Sequence, residues 1–260
     1  MAEDKARLDV ILVQRGFFET RERAQAAVME GLVFADGLRS IKPGTKYSDS
    51  VVLIVKEGGL KYVSRGGLKL EKAVDDWEID LSGRICMDIG ASTGGFTDLM
   101  LKRGASRVFA VDVGYGQLDW KLRNDQRVVN IERTNIRYLD TELITKTPSF
   151  IAIDVAFISL ALVLPVATSV LSPGGEIVAL VKPQFEAGRE QVGKGGIVRD
   201  ETVRISVLDK VRSYAADNGL SVEGVIESPI TGAKGNVEYL MRMRRAGNDA
   251  GKDNGKQDCK

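Results

Sequence analysis

The sequence predicts an α/β protein in which a small α+β module precedes a larger domain built on a mostly parallel sheet. From Leu68 onward, apolar strand-like runs alternate with helical patterns, as in parallel sheets with crossover helices. Residues 85–97 (ICMDIGASTGGFT) run from an apolar strand through a glycine-rich turn into a helix. Residues 1–56 instead show two short helices and a few strands. We expect an active site in the larger domain.

The N-terminal module begins with two predicted helices. Leu8, Ile11 and Leu12 share one helical face, and Thr20 can cap a second helix that stops before Gly31. Short strands and turns follow at residues 32–34, 36–37, 43–44 and 51–55. Because acids are nearly as numerous as bases here, charge alone fits a mixed solvated surface as well as a nucleic-acid surface.

The boundaries of the larger domain follow from composition. Residues 57–67 (EGGLKYVSRGG) contain four glycines and no periodicity, which predicts an interdomain linker, with Lys61 and Arg65 able to touch a nucleic-acid backbone. Residues 68–245 form the larger domain, and the polar residues 246–260 are predicted to be a disordered tail.

Helices and strands alternate along the larger domain. Its first helix places Leu70, Val74 and Trp77 on one face and Lys69 on another. Strands are predicted at residues 85–89, 107–113, 128–131, 150–154, 176–181, 220–226 and 238–242, and helices at 96–103, 118–124, after 154 and from 200 to 218. The uncharged residues 155–171 are nearly as long as the roughly 20 residues of a bilayer-crossing helix. Because Asp154 precedes them and Pro165 interrupts them, we interpret them as a helix buried on the sheet.

Composition excludes several kinds of chemistry. The 260-residue chain has no histidine, so proton transfer is left to Lys, Asp, Glu or Tyr. Cys86 and Cys259, the two cysteines, lie far apart in the sequence and make neither a disulfide framework nor a zinc site. No metal site is predicted. The N-terminal residues lack the apolar core of a secretory signal, so we expect a cytoplasmic protein.

The glycine-rich turn is the strongest local signal. Its spacing G-x-x-x-G-G, at Gly90, Gly94 and Gly95, matches neither the G-x-G-x-x-G of dinucleotide sites nor a P-loop. A small adenosine-bearing cofactor remains, and S-adenosylmethionine fits best; an ordinary tight turn is the alternative. The predicted cofactor-binding residues are Asp88, Gly90, Ala91, Ser92, Gly94, Gly95, Phe96, Asp112, Val113, Asn135 and Asp154.

Polar residues follow the predicted strands. Asp112 ends the second strand, where a carboxylate accepts both ribose hydroxyls of a nucleoside, and Asn135 after the third can reach an adenine edge. Asp154 and Lys182 end the fourth and fifth strands, and an antiparallel last strand would add Glu238. Each has a structural alternative, because the aspartates could cap turns or helices and lysines are commonly solvated.

The absence of two sequence features limits which atom could accept a methyl group. Methylation at carbon five of a pyrimidine needs a cysteine nucleophile, and Cys86 lies inside a predicted strand. Methylation of an exocyclic amine usually shows Asn/Asp-Pro-Pro-aromatic after strand four, whereas this chain has Asp154-Val155-Ala156-Phe157. A Lys/Asp/Lys/Glu set without either feature resembles ribose 2′-O-methyltransferases of the heat-shock FtsJ type.

Several motifs carry a resemblance to a known family. They are VSRGGLKL, DIGASTGGFTD, VDVGYGQL, ERTNIR, DVAFISL, LVKPQFE, QVGKGGIV and GNVEYL. Together they resemble the TlyA family over residues 7–245. The resemblance implies a Rossmann-like class I S-adenosylmethionine-dependent methyltransferase sheet, a catalytic tetrad of Lys69, Asp154, Lys182 and Glu238, and a cytidine 2′-hydroxyl of ribosomal RNA as acceptor.

The N-terminal residues 7–37 (RLDVILVQRGFFETRERAQAAVMEGLVFADG) resemble the RNA-binding module named after small-subunit ribosomal protein S4. The resemblance implies contacts with RNA phosphates, which position the protein and read little sequence. The predicted RNA-binding residues are Arg7, Arg21, Arg23, Lys42 and Arg65.

Some questions stay open at this stage. Lys182 can act as a base only when neutral, which burial and Lys69 favour and which Asp154 and Glu238 oppose; otherwise it holds the oxygen and stabilises negative charge. Some TlyA members modify large-subunit RNA and others modify both subunits, and the sequence fits either. We expect a monomer without a protein partner or a membrane. The competing functions are a membrane-active haemolysin and a non-catalytic RNA-binding assembly factor.

Overall fold

The computed structural model describes residues 5–29, 31–55 and 61–247. The chain divides into two compact units, Met1–Arg65 and Gly66–Lys260, and each is described by itself. Most of the predicted tail, Cys259 and residues 56–60 around the start of the predicted linker lie outside the described residues.

The first unit packs two short helices on short antiparallel strands. Its elements are β1 (Lys5–Arg7), α1 (Leu8–Gln14), α2 (Arg21–Met29), β2 (Val33–Ala35), β3 (Leu38–Arg39), β4 (Lys46–Ser48) and β5 (Leu53–Val55). β3, β2 and β5 form one sheet, and β1 pairs with β4. The predicted apolar face of α1 is buried, with Leu8 and Leu12 packed against Ala24, Ala27 and Val28. β1 and β4 were not predicted, because three-residue charged segments show no alternation.

A buried carboxylate ties the two helices of this unit together. Asp9 is fully buried and accepts hydrogen bonds from Arg7 Nε and Nη2 at 2.9 Å, Arg21 Nε at 3.0 Å and Gln25 Nε2 at 2.7 Å. The bonds from Arg7 outweigh the effect of burial and lower the pKa of Asp9. Two of the arginines predicted to contact RNA therefore also neutralise a buried charge.

The second unit is built on a seven-stranded sheet. Its elements are α3 (Gly66–Asp76), β6 (Ile85–Ile89), α4 (Gly95–Lys102), β7 (Arg107–Val111), α5 (Trp120–Arg123), β8 (Val128–Ile131), β9 (Phe150–Ile153), α6 (Leu160–Val170), β10 (Glu176–Val181), α7 (Pro183–Glu186), α8 (Glu201–Asp217), β11 (Leu220–Glu227) and β12 (Tyr239–Arg245). The strand order is β8-β7-β6-β9-β10-β12-β11. β12 is antiparallel to both neighbours, and β6 to β10 pair in parallel.

The predicted α/β class is confirmed, with corrections at element ends. The strands predicted at 85–89, 128–131 and 176–181 have those bounds. β7 ends at Val111 rather than Val113, because the Asp112 carboxylate bonds the backbone of the next turn instead of continuing the sheet. β12 runs from Tyr239 to Arg245 rather than from 238 to 242. α3 begins at Gly66, within the stretch predicted to be a linker.

The apolar stretch 155–171 contributes to the core of this unit. It forms the loop after β9 and the eleven-residue helix α6. Leu160, Val163, Leu164 and Ala167 are buried in the main apolar cluster with residues of the sheet. Among the described residues, none of the helices has the length and hydropathy needed to cross a membrane.

A buried ion-pair cluster lies at the start of β10. Glu176 is 6% exposed and pairs with Arg84 at 2.9 Å, Arg242 at 2.6 Å and Arg244 at 3.4 Å. Burial alone would raise the pKa of Glu176, but hydrogen bonds from Arg242 and Arg84 outweigh it, and the pKa is lowered from 4.5. The ionised form is therefore favoured by folding.

We expect Glu176→Ala to lower the free energy of unfolding by roughly 3–5 kcal/mol, because it leaves partly buried arginines without their counter-charge. The difference from wild type should be complete above the ordinary pKa of 4.5 and should shrink as pH falls through the lower folded-state pKa. Urea unfolding across that pH range measures it. Glu223→Ala, in the same cluster but 30% exposed, is the control and should cost less. An equal loss in both variants at every pH would contradict the assignment.

Candidate active site

The carboxyl ends of β6, β7 and β9 open onto a cavity of about 650 Å³. Strand order reverses between β6 and β9, and ligands of open α/β sheets bind at such a reversal. Gly90, Asp112, Asn135 and Asp154 line the cavity, so residues from four separate strand ends meet there. The volume lies within the roughly 300–1,000 Å³ common for small-molecule sites.

Gly90 allows two strand ends to approach closely. Its φ is +88°, and a Cβ placed on it would lie 2.3 Å from the Asp154 carbonyl oxygen. The amides of Gly90 and Ala91 both donate to Val111 O, at 2.9 and 3.1 Å. The glycine therefore keeps the turn after β6 in contact with the loop that carries Asp154.

We expect Gly90→Ala to weaken binding of the cofactor that the sequence predicts at least tenfold, because the new methyl group must displace the Asp154 backbone and the positive φ strains alanine. Calorimetric titration with S-adenosylmethionine measures this. Gly83→Ala is the matched control, since Gly83 has a φ of +69° but open space around its Cβ position. It should lower stability slightly and leave the dissociation constant unchanged; equal binding by wild type and Gly90→Ala would show that this contact does not shape the site.

Asp88 lies behind the cavity and holds the start of α4. It is fully buried, and its Oδ2 accepts from Thr97 N at 2.9 Å and Thr97 Oγ1 at 2.7 Å. Its Oδ1 has no hydrogen-bond partner among the described residues. Burial, opposed by the Thr97 bonds, raises the pKa of Asp88 to about 7. The carboxylate therefore fixes the glycine-rich turn from behind.

Four other residues of the predicted cofactor set also stand outside the cavity lining: Ala91, Gly94, Gly95 and Phe96. Gly94 has a φ of +96° and lies against Leu118 and Leu122, where a Cβ would clash. Phe96 is buried in α4. These residues shape the turn, whereas Gly90, Ser92, Asp112, Val113, Asn135 and Asp154 of the predicted set line the cavity.

Asp112 is held in place by backbone amides. Its Oδ2 accepts from Ser92 N at 2.8 Å, and its Oδ1 accepts from Gly114 N at 2.7 Å. An ionised carboxylate has about four acceptor positions, so each oxygen keeps capacity for a further donor. Two neighbouring hydroxyl groups of a ribose match that arrangement.

Sequence reasoning missed several residues of the cavity wall. Gln117 and Thr134 add polar groups, and Phe157 contributes a ring. Phe157 is 91% exposed with a φ of +62°, an unusual conformation for a bulky residue. Its ring lies 5.0 Å from that of Phe185 between centroids. The motif containing Phe157 was visible in the sequence, but its backbone conformation and exposure were not.

The predicted tetrad is brought together as two ion pairs. Lys69 Nζ lies 2.7 Å from Glu238 Oε2, and Lys182 Nζ lies 2.5 Å from Asp154 Oδ1. The side chains of Glu238, Lys69, Lys182 and Asp154 are 2%, 11%, 13% and 21% exposed. β10 and β12 pair Val181 with Tyr239, so the next position sets Lys182 opposite Glu238. The two ion pairs thus join residues from distant parts of the sequence, and one of the four, Asp154, lines the cavity.

Glu186 joins the loops that carry Asp154 and Lys182. It is buried, and it accepts hydrogen bonds from Leu160 N and Ser159 Oγ, both at 2.7 Å. Burial raises the pKa of Glu186. The side chain spans the turn after β10 and the start of α6, which limits how far the two ion-paired groups can separate.

Neither a reactive thiol nor a metal-binding cluster is found among the described residues. Cys86 is fully buried within β6, and burial raises the pKa of its thiol to about 12, so it stays protonated. In the described parts of the chain, no group of three or more Cys, Asp or Glu residues could hold a metal ion.

The predicted RNA-binding residues are distributed over the first unit. Arg7 and Arg21 pair with Asp9, and Arg23 pairs with Glu19 at 2.9 Å. Lys42 and Arg65 are exposed. RNA binding by these residues stays a prediction.

Comparison with known proteins gives concordant matches. A family model described as FtsJ-like methyltransferase matches residues 62–245. The 16S/23S rRNA (cytidine-2'-O)-methyltransferase TlyA of Mycobacterium tuberculosis is 46% identical, over 92% of this chain and 90% of its own length. Hemolysin A of Brachyspira hyodysenteriae is 45% identical, over 91% and 99%. A solved structure of a Streptococcus thermophilus protein is 50% identical, covers 96% of this chain and 92% of that chain, and has a TM-score of 0.74.

Proposed function

The chain belongs to the FtsJ-like methyltransferase family, and from this premise we propose that it methylates the 2′-hydroxyl of a cytidine in ribosomal RNA with S-adenosylmethionine as donor. The observation that carries the proposal is the two ion pairs, Lys69–Glu238 and Lys182–Asp154, the second of which includes a residue of the cavity wall. Such a site can hold a hydroxyl, accept its proton and face a cationic donor.

The cavity residues fit an adenosine-bearing donor. Asp112 would accept hydrogen bonds from the ribose hydroxyls, and Asn135, which caps the turn at Ile136–Tyr138, would contact the adenine edge. Gly90, also in the cavity wall, lets the turn after β6 pack closely against the Asp154 backbone. When bound, the donor supplies a methyl group on a sulfonium centre, and the Asp154 carboxylate at the cavity wall favours that positive charge.

The tetrad would position and deprotonate the acceptor. Lys182 lies at the end of β10 with its Nζ on Asp154, where it can hold the 2′-oxygen or, when neutral, take the hydroxyl proton as the carbon–oxygen bond forms. Lys69, held by Glu238, adds a second cation that stabilises negative charge developing on the oxygen. Positioning of the hydroxyl supplies much of the rate in such a displacement.

Two observations support ribosomal RNA as the substrate. The Mycobacterium tuberculosis relative is named for 16S and 23S rRNA and for cytidine 2′-O-methylation. The S4-like first unit would then hold the RNA backbone through Arg23, Lys42 and Arg65, contacts that position rather than select. The exposed ring of Phe157, in the same loop as Asp154, suits stacking on an unpaired base.

Methylation of purified ribosomal subunits and of naked RNA with labelled donor tests the proposal. We expect label in a ribose 2′-O-methyl group of cytidine, mapped by primer extension and mass spectrometry of the digested RNA. Offering the two subunits separately decides between large-subunit and dual activity. Label on a base, or binding of donor and RNA without transfer, would overturn the proposed reaction; the second result is the one expected of a non-catalytic assembly factor.

A membrane-active function is the second candidate, because a relative 45% identical is named Hemolysin A. The apolar residues 155–171, which would have to contact lipid, contribute Leu160, Val163 and Leu164 to the core. Membrane activity would therefore require this core to open. Release of dye from liposomes by the folded protein, without donor or RNA, would support this candidate, and no release would leave methyl transfer as the function.

A further inference from the structure

The ion pairs of the tetrad are not the ones that the register between β10 and β12 would predict. Lys182 follows Val181, which pairs with Tyr239 across β10 and β12, and its backbone is still extended. Glu238 is therefore its cross-strand neighbour, and opposite charges in such positions normally pair. In the structure Glu238 instead pairs with Lys69, and Lys182 pairs with Asp154.

Gln184 forms a hydrogen bond with one of the two carboxylate oxygens of Glu238. Its Nε2 donates to Glu238 Oε1 at 3.3 Å, while Lys69 Nζ takes Oε2 at 2.7 Å. On another side, a Cβ on Gly232 would lie 2.0 Å from Glu238 Oε1, so backbone closes the space there. With 2% of its side chain exposed, the carboxylate takes its direction from its bonds to Lys69 and Gln184.

The oxygen of the Gln184 side-chain amide lacks a hydrogen-bond donor among the described residues. Its Oε1 is buried and accepts no hydrogen bond from any described residue. A buried unpaired acceptor is destabilising, so an apolar side chain of similar shape would suit packing better. Departures of this kind from good packing concentrate at functional sites.

We propose that Gln184 is a positioning residue. It holds the Glu238 carboxylate in its pair with Lys69, so that Lys182 stays paired with the Asp154 carboxylate. The other charged groups of the tetrad are Asp154 after β9, which contacts Lys182, Glu238 before β12 and Lys69 in α3. A neutral amide holds Glu238 without adding charge. A second carboxylate on Lys182 would keep its amine protonated, and a protonated amine cannot accept the hydroxyl proton. The consequence for catalysis rests on the proposed function, but the pairing itself does not.

The first test follows the Lys182 amine directly, without donor or RNA. In protein labelled at the lysine side chains, NMR titration reports its protonation, with the signal assigned through Lys182→Arg. We expect Gln184→Met to move the titration midpoint upward by about one pH unit, the scale of one added carboxylate neighbour. Gln191→Met, the same change in the nearby 189–191 turn, should leave it in place. An unchanged midpoint in Gln184→Met overturns the proposal, whatever the enzyme's substrate proves to be.

The second test is the pH dependence of single-turnover methyl transfer. We expect the Gln184→Met rate near neutral pH to fall about tenfold and to recover at higher pH, with the dissociation constant of the donor within twofold of wild type. A loss that is equal at every pH indicates a merely structural role and contradicts the proposal. Gln184→Asn, whose shorter amide loses the 3.3 Å contact but keeps its polarity, should shift in the same direction and covers the case in which the methionine variant does not fold.

Discussion

Lys182→Ala should abolish methyl transfer while leaving the affinity for S-adenosylmethionine within a few fold of wild type. Its amine forms one of the two tetrad ion pairs, 2.5 Å from Asp154, and it does not line the cavity. Loss of a general base commonly costs roughly 10²–10⁴-fold in rate, and loss of a group that positions the oxygen adds to this. We expect a fall of at least about 10³-fold in single-turnover rate, together with calorimetric donor binding close to normal.

The affinity should be preserved for an electrostatic reason. Removal of the lysine leaves the Asp154 carboxylate without its cation at the cavity wall, which favours a positively charged donor over the neutral product that lacks the methyl group. The matched control is Lys102→Ala, which breaks a surface pair with Asp98 at 2.9 Å and should change neither quantity. Loss of both transfer and donor binding in Lys182→Ala would contradict the role given to this residue.

Lys182→Arg separates the two roles that remain open for the lysine. An arginine keeps the positive charge and the donors but stays protonated in proteins. If Lys182 takes the hydroxyl proton, the arginine variant should be as inactive as the alanine variant. If Lys182 only holds the oxygen and stabilises charge, the arginine variant should keep a measurable fraction of the rate.

The sequence predicted the fold class because it depends on local signals. The tetrad, which includes Lys69 from a helix, came from the resemblance to the TlyA family, and its catalytic role stays a prediction. Apolar runs located the strands, and a polar residue after each strand marked the sheet edge where such residues must meet. The similarity to TlyA proteins was also correctly identified. The S4-like identity of the first unit and the role of each site residue stay predictions.

Features that depend on tertiary contacts were not visible in the sequence. The register of β10 and β12, extended by one residue, would set Lys182 opposite Glu238, yet Glu238 bonds Lys69 of α3 and Gln184. Asp88 stood at a strand end like Asp112 but is fully buried, because the Thr97 hydroxyl and amide capture it. Burial and side-chain direction decide such cases, and neither can be read from spacing alone.

Asp112→Ala should show the opposite kinetic signature to the lysine variant, because Asp112 lines the cavity and has no contact with the tetrad among the described hydrogen bonds. Its carboxylate offers two acceptors to the donor's ribose and also anchors Ser92 N and Gly114 N at 2.8 and 2.7 Å. Hydrogen bonds to a charged group contribute about 1.5 kcal/mol or more each, and about 1.4 kcal/mol corresponds to tenfold in affinity. We expect a donor dissociation constant roughly 100-fold higher.

Saturating donor should restore most of the single-turnover rate in Asp112→Ala, since the tetrad is intact, and this recovery distinguishes the variant from Lys182→Ala. Asp140→Ala is the matched control: Asp140 also caps a turn, through Glu142 N at 3.0 Å, but stands outside the cavity lining. A rate that stays low at every donor concentration would mean that Asp112 also affects the position of the transferred methyl group, by way of the turn that it anchors. An unchanged dissociation constant would mean that the ribose of the donor does not bind Asp112. The orientation proposed for the donor, with its methyl group toward the tetrad, would then be wrong.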